Sequence, residues 1–257
     1  MTTHMGKHVR ELAEKGTRLD GRPFDQFREI VLEVGTNDNA DGYARVKFGE
    51  TDVLAGIKME VGTPYPDTPD QGALMVGAEL LPLSNPKYEG GPPGIDSIEL
   101  ARVVDRGVRE SKAIDMPKLC IEPGEKCWIV NIDIIPLNAD GNLFDAAGLA
   151  AIAALKNTRF PKFEDGVLYP REKTSEPLPV SKTPIPVTVH RIAGKLVIDP
   201  LEDEEDASEA RLTVATAGDE ICAMQKGGDS PLTTEEISAM IDLAFEKAKE
   251  LRSKLEG

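Results

Sequence analysis

The sequence predicts an α+β protein: two βα halves of mixed sheets packed around one central buried helix. Three observations carry this. Clusters of short, alternating apolar segments followed by a helical pattern occur twice, once before and once after a central stretch. That stretch, residues 146–155, holds no charged or strongly polar side chain, so a helix formed there has no solvent face. The chain then closes on a long amphipathic helical pattern. Residues 1–16 read as an N-terminal helix or extension, and 17–257 as one domain of two pseudo-related halves, the second including the C-terminal helix.

Taken in order, Met5, Val9, Leu12 and Ala13 fall at helical spacing and Gly16 supplies a stop. The run Thr17-Arg18-Leu19-Asp20-Gly21-Arg22-Pro23 is a turn-forming entry to the body. Ile30, Leu32 and Val34 alternate with other residues, residues 37–42 make a turn, and Ala44, Val46 and Phe48 alternate next. With residues 51–61 this is an antiparallel meander. Residues 62–94 carry seven prolines and one strand, expected over 73–83. A helix is expected over 97–113, with Leu100, Val103, Val104 and Val108 on its apolar face. Arg102, Arg106 and Arg109 follow at i, i+4 and i+7, which places them in one stripe opposite that face, with Lys112 off it.

Residues 115–124 read as a connector, and 128–135 as an apolar strand feeding the loop Asn138-Ala139-Asp140-Gly141-Asn142. The loop opens the buried helix. A helix head offers free backbone N–H groups to an anion. Here Asp140 and Asp145 flank it, and no Lys, Arg, Ser or Thr occurs between Ala139 and Ala154. Two carboxylates repel a phosphate, and Asp145 is placed to cap the helix itself. Residues 156–186 look like a long surface excursion with little helix or strand of its own. Strands follow over 187–192, 195–199, 210–217 and 221–226, with an acidic run, Glu202 to Asp206, expected as a solvated loop. Thr233 and Glu236 form a capping-box pattern before the last helix, whose apolar face is Ile237, Met240, Ile241, Ala244, Ala248, Leu251 and Leu255.

The 257 residues suffice for a sizeable core, and a hydrophobic content of 40% suits a soluble globular chain. No apolar run approaches the roughly 20 residues a bilayer needs, and the N-terminus is too polar for a signal peptide, so a cytoplasmic protein is expected. The net charge of −15 argues against coating duplex DNA, because phosphate binding rests on cations. A local basic patch that receives a single strand inside a larger assembly stays open. Cys120, Cys127 and Cys222 lack CxxC spacing and read as small buried hydrophobes. Of the histidines, His4 and His8 lie in a segment expected to be mobile, which leaves His190 inside. Neither a catalytic histidine nor a metal site is expected.

Leu19-Asp20-Gly21-Arg22, the stretch from Ile98 to Ser111 and the Asp140-Gly141 loop resemble the ribonuclease PH-like family, over residues 17 to the C-terminus. Asp199-Pro200 with its acidic tail, and Met224-Gln225-Lys226-Gly227-Gly228, resemble the branch of non-catalytic ring subunits of archaeal RNA exosomes. The resemblance implies the fold given above. Active members are phosphorolytic exonucleases, in which phosphate attacks the 3′-terminal linkage of single-stranded RNA. They carry a Ser or Thr and then an Arg after the Asp-Gly pair. This chain has Asn142, Leu143, Phe144 and Asp145 there, so the hydroxyl and guanidinium are both missing. Losing one preorganised donor typically costs a factor of about 10² to 10³. Of the family's carboxylate pair, Asp199 matches the first, and either Glu205 or Asp206 stands at the second.

The resemblance thus implies a subunit with no catalytic residue, metal or cofactor. It implies pairing with a catalytic ribonuclease PH-like subunit, three such heterodimers in a six-membered ring, and RNA-binding cap subunits on one face. Arg102, Arg106 and Arg109 then hold RNA phosphates, since guanidinium forks suit bidentate phosphate contact. The bland reading of the stripe is a solvated face paired with Glu99, Asp105 or Glu110. Two other readings are a self-sufficient phosphorolytic exonuclease and a metal-dependent hydrolase using Glu202 to Asp206.

Overall fold

The structure is a computed structural model, and it describes residues 4–35 and 39–255. Two sheets face a shared helix. The first takes its strands from β1 (Ile30–Val34), β2 (Gly42–Phe48), β3 (Thr51–Gly62), β4 (Ala73–Ala78), β5 (Cys120–Glu122) and β6 (Lys126–Asn138). Their order is β1-β2-β3-β6-β4, with β5 paired to β6. Burial alternates residue by residue along β2 and most of β3, the period expected of strands with one face on the core. β4 runs parallel to β6, and their connection passes through helix α2 (Ile95–Glu110).

After β6 comes helix α3 (Leu143–Lys156), then the ribbon β7 (Arg159–Glu164) and β8 (Val167–Pro177). The second sheet, β9 (Ile185–Ile192), β10 (Lys195–Ile198), β11 (Ala210–Ala217) and β12 (Glu220–Gly227), has the order β10-β9-β11-β12. It is antiparallel throughout, with tight turns joining β9 to β10 and β11 to β12 and a longer connection carrying the chain from β10 past β9 to β11; only the first sheet pairs in both senses. A short helix, α4 (Glu202–Asp206), sits between β10 and β11, and α5 (Thr234–Ser253) closes the chain.

The expectation of a helix without a solvent face is met. Every residue of α3 from Asp145 to Leu155 is buried. Its small side chains let both sheets come close: a Cβ at Gly148 would run into the Pro186 ring of β9. Burial of Leu149, Ile152 and Leu155 stabilises the centre by about 1.5–3 kcal/mol per side chain. α5 lays Met240, Ala244, Ala248 and Leu251 against the second sheet. Its capping box is formed, with Glu236 N–H donating to Thr233 Oγ1 at 3.2 Å and Thr233 N–H to Glu236 at 2.8 Å.

Several expectations are corrected. The strand foreseen over 73–83 ends at Ala78, where the chain turns off the sheet ahead of Pro82. Residues 156–186 are not a structureless excursion, since β7 and β8 pair as a ribbon. Such a ribbon needs only one hydrogen-bonding edge per strand, so Pro161 at a bulge and Pro177 at an end are tolerated. The acidic run is a helical turn rather than a solvated loop, because Arg18 reaches in to pair with the buried Glu204 at 2.5 Å. The connector at 115–124 includes a single 3-10 turn and β5. The N-terminal helix, α1 (His4–Glu14), is docked rather than loose: Val9 and Ala13 pack on Ile192, Val197 and Ala207. Ile30 and Leu32 of the alternating segment are partly buried, whereas Val34 is exposed on the edge strand β1. The turn foreseen at 37–42 and the question of order at 1–8 fall in part outside the described residues. No described helix is long and apolar enough to cross a membrane.

Candidate functional site

The loop between β6 and α3 is pinned by Thr51, at the start of β3, and by Arg28, just ahead of β1. Thr51 Oγ1 donates to Gly141 O at 2.7 Å. The Arg28 guanidinium donates to Asp140 O at 2.7 Å and to Asp199 Oδ1 at 2.7 Å. Gly141 has φ +78°, and a Cβ on it would strike the Pro200 carbonyl, so the second half of the chain closes directly over the head of α3.

Asp199 is fully buried beneath this loop. It accepts hydrogen bonds from Arg22, from the Arg28 backbone and side chain, and from Asn142 Nδ2. Burial alone would raise its pKa, but the Arg28 hydrogen bonds and charge outweigh that and hold the carboxyl below its ordinary range. A carboxylate held ionised in this way is an anchor rather than a proton donor.

Glu205 and Asp206 are placed differently. Glu205 turns inward, its Oε2 accepting the backbone N–H of Asn142 at 3.2 Å, while Asp206 pairs with Lys87 at 2.6 Å and is exposed. Burial raises the Glu205 pKa, and the Asn142 hydrogen bond opposes that only in part. The N–H of the N-cap residue thus carries a carboxylate of the chain itself.

Around it lies a pocket of about 270 Å³ between α2, α4 and the helix head. Its walls bring Asp96, Glu99, Glu202, Glu205 and Asp206 against two cations, Lys87 and Arg211. Both cations are taken. Lys87 pairs with Glu202 at 2.8 Å as well as with Asp206, and Arg211 pairs with Glu99 at 2.7 Å. The Arg211 guanidinium also lies 4.9 Å from the Phe144 ring centroid, a cation–π contact. With the local carboxylates in excess, the pocket repels a phosphate.

Two expectations about Asp145 are corrected here. It does not cap α3: Asn142 is the N-cap residue, in the left-handed region at φ 57°, and Asp145 lies within the first turn. Nor does Asp145 repel an incoming anion, since it is buried against the second sheet and neither of its oxygens has a well-formed hydrogen bond. Burial pushes its pKa up to about 8 against the weaker opposing pull of Thr188, so it is mostly neutral at pH 7. Glu205 supplies the charge that the sequence had assigned to Asp145. The sequence reading also missed Arg28 and Arg211, which come from segments without a motif.

The arginine stripe lies on the outer face of α2, while Leu100, Val103, Val104 and Val108 are buried beneath it. The three side chains diverge at their tips. Arg102 is exposed and makes no ion pair or hydrogen bond with the described residues. Arg106 leans toward the second sheet and donates to Met224 O at 3.3 Å. Arg109 leans toward the first, pairing with Asp105 at 2.6 Å and donating to Leu74 O at 3.1 Å. The stripe therefore runs along the seam between the sheets. Of the local partners in the bland reading, only Asp105 is taken up by a stripe arginine, since Glu99 goes to Arg211 and Gln225.

The cysteines are free: Cys127 is buried, and Cys120 and Cys222 are only partly so. Among the described residues, no group of three or more His, Cys, Asp and Glu side chains is placed to hold a metal ion. His190 is fully buried, and burial pulls its pKa down to about 3, so it is a neutral core histidine.

Two sheets around a shared helix, with an Asp-Gly loop at its head, define a ribonuclease PH-type protein. Residues 26–161 match the model of the 3′ exoribonuclease family, domain 1, and residues 182–247 match that of domain 2. The chain belongs to the 3′ exoribonuclease family. It is 50% identical over 251 residues to exosome complex component Rrp42 of Methanocella arvoryzae, covering 97% of this chain and 95% of that protein. Among solved structures, a chain of the Archaeoglobus fulgidus exosome with RNA bound to the active site has a TM-score of 0.90 at 45% identity, covering 97% of each chain. A chain of an archaeal exosome core has a TM-score of 0.87 at 42% identity, covering 98% of this chain and 96% of that one.

Proposed function

We propose that the chain is a non-catalytic, RNA-binding ring subunit of an archaeal-type exosome, at work in the cytoplasm. It pairs with a catalytic ribonuclease PH-like subunit, and three such pairs close a six-membered ring that carries RNA-binding cap subunits on one face. Single-stranded RNA is degraded from its 3′ end by phosphorolysis at the partner's site. This chain shapes that site and contributes Arg102, Arg106 and Arg109 to the RNA path. Residues 17–257 act as one domain of two halves, with 1–16 as an extension docked on the second.

One observation carries the non-catalytic part: the Asn142 N–H at the head of α3 is occupied by Glu205, and the nearby cations Lys87 and Arg211 are paired with the chain's own carboxylates. The similarity to Rrp42 proteins supports the place in a ring. The acidic body with one basic seam supports the RNA role, because such a field steers a polyanion to one location.

The test is incubation of the purified chain with 3′-unpaired RNA and phosphate, alone and after assembly with a catalytic partner. Nucleoside diphosphate release is expected only from the assembly. Release by the chain alone that is lost on replacing Asp199 would make it a self-sufficient exonuclease.

A further inference from the structure

A second cavity, of about 850 Å³, opens at the other end of the arginine stripe, where α2 gives way to the turn at Lys112. One wall is apolar, formed by Leu74, Val108 and Met116. Over its mouth stands Tyr65, from the loop between β3 and β4, with 47% of its surface exposed. An aromatic ring this exposed beside an apolar wall offers a face on which another ring can stack. Tyr65 and Arg109 line the same cavity, so the ring and the last arginine of the stripe belong to one site.

Lys112 lines the same cavity and forms no ion pair with the described residues. Its backbone is in the left-handed region at φ 55°, held by the bond from its N–H to Arg109 O at 3.0 Å. Two carboxylates also border the cavity. Asp115 is neutralised by Lys118 at 3.0 Å, and Asp67 is exposed to water. From Arg102 to Arg109 the helix rises about 10 Å, so a strand following the seam is delivered to this cavity. Stacking on an aromatic face together with cations for the backbone is the general means of holding a single strand.

We infer that this cavity receives a nucleotide of single-stranded RNA, its base stacked on Tyr65 and its phosphate held by Arg109 and Lys112. The inference rests on the RNA-binding reading above. It adds a base-holding site to a stripe that otherwise contacts only phosphates, and it gives Lys112, off the stripe by helical spacing, a part in the same path.

The test uses the chain assembled with a catalytic partner, titrated with a 3′-unpaired oligouridylate over a series of salt concentrations. Tyr65→Ala is expected to weaken binding by about 5-fold to about 100-fold, the range of base–aromatic stacking, with the salt slope unchanged. Tyr65→Phe is expected to bind as wild type, because the ring and not the hydroxyl does the stacking. If Tyr65→Ala binds as wild type while Arg106→Ala lowers the salt slope, the inference fails and the RNA-binding reading stands. If neither variant has an effect, both fail. If Tyr65→Ala assembles no ring, as judged by native mass, the cavity is a protein contact and the inference is overturned.

Discussion

Glu205 Oε2 sits 3.2 Å from the backbone nitrogen of Asn142 and accepts its N–H, so a carboxylate from the second half of the chain is bound at the N-cap of α3. Freeing that N–H adds no phosphate-binding side chain, because Leu143, Phe144 and Asp145 bring neither a hydroxyl nor a guanidinium and the nearby Arg211 is paired with Glu99. Glu205→Ala is therefore expected to leave the isolated chain without phosphorolytic activity. Nucleoside diphosphate release above background by that variant would show that one side chain had been masking a complete site.

The stripe arginines are unequally committed. Arg102 is free of ion pairs with the described residues, whereas Arg109 is already bound to Asp105, whose hydrogen bond is the main cause of its raised pKa. In the assembled complex, Arg102→Ala and Arg106→Ala are each expected to flatten the salt dependence of RNA binding, by up to about 0.7 log unit for every phosphate left without its arginine. Arg109→Ala is expected to change it less, since an arginine that leaves Asp105 exchanges one charged partner for another. A salt titration of the three variants checks the order, and slopes unchanged from wild type would return the stripe to an ordinary solvated face.

Arg18 and Glu204 form an ion pair whose side chains are 1% and 3% exposed. Removing one partner leaves a buried charge uncompensated, so Arg18→Ala is expected to cost about 3–5 kcal/mol in urea denaturation. The double change Arg18→Met with Glu204→Leu is expected to cost less than either single removal, because no charge is left behind. A cost below about 1 kcal/mol for Arg18→Ala would mean that water reaches Glu204 in solution.

Asp145 has its folded pKa raised to about 8 by burial. The native state then holds a proton that the unfolded chain releases near the ordinary carboxylate range. The resulting stability is fully present below that range and is lost as pH rises toward 8. Between pH 6 and pH 7 this group alone lowers stability by about 1 kcal/mol per unit. Asp145→Asn is neutral at every pH and is expected to remove that slope, as read from denaturation midpoints. A slope that persists in the variant would place its origin elsewhere.

Much of the fold is legible in the sequence where one force dominates. The uncharged stretch after Asp145 has only one stable home, the space between two sheets, and α3 occupies it. Thr233 and Glu236 lie three residues apart, so their mutual capping is a local matter and forms as read. What escapes is set by distant partners. The acidic run folds into α4 because Arg18, far away in sequence, neutralises Glu204. The β7–β8 ribbon hides behind its prolines, and Lys173 ties it to the buried Asp41 by an ion pair that no spacing reveals. At the site, the lack of a hydroxyl and a guanidinium after Gly141 is readable from Asn142, Leu143 and Phe144. The carboxylate bound to the Asn142 N–H is not, since Glu205 arrives from the other half of the chain.

Because α3 from Asp145 to Leu155 is enclosed by both sheets, any enlargement along it is felt on two sides at once, and its middle has little tolerance for change. The head is different, since Leu143 and Phe144 border a pocket and new side chains there have room. A scaffold of this kind confines drift to the place where chemistry would occur. The rigidity that an assembly requires therefore does not depend on which side chains stand at that head.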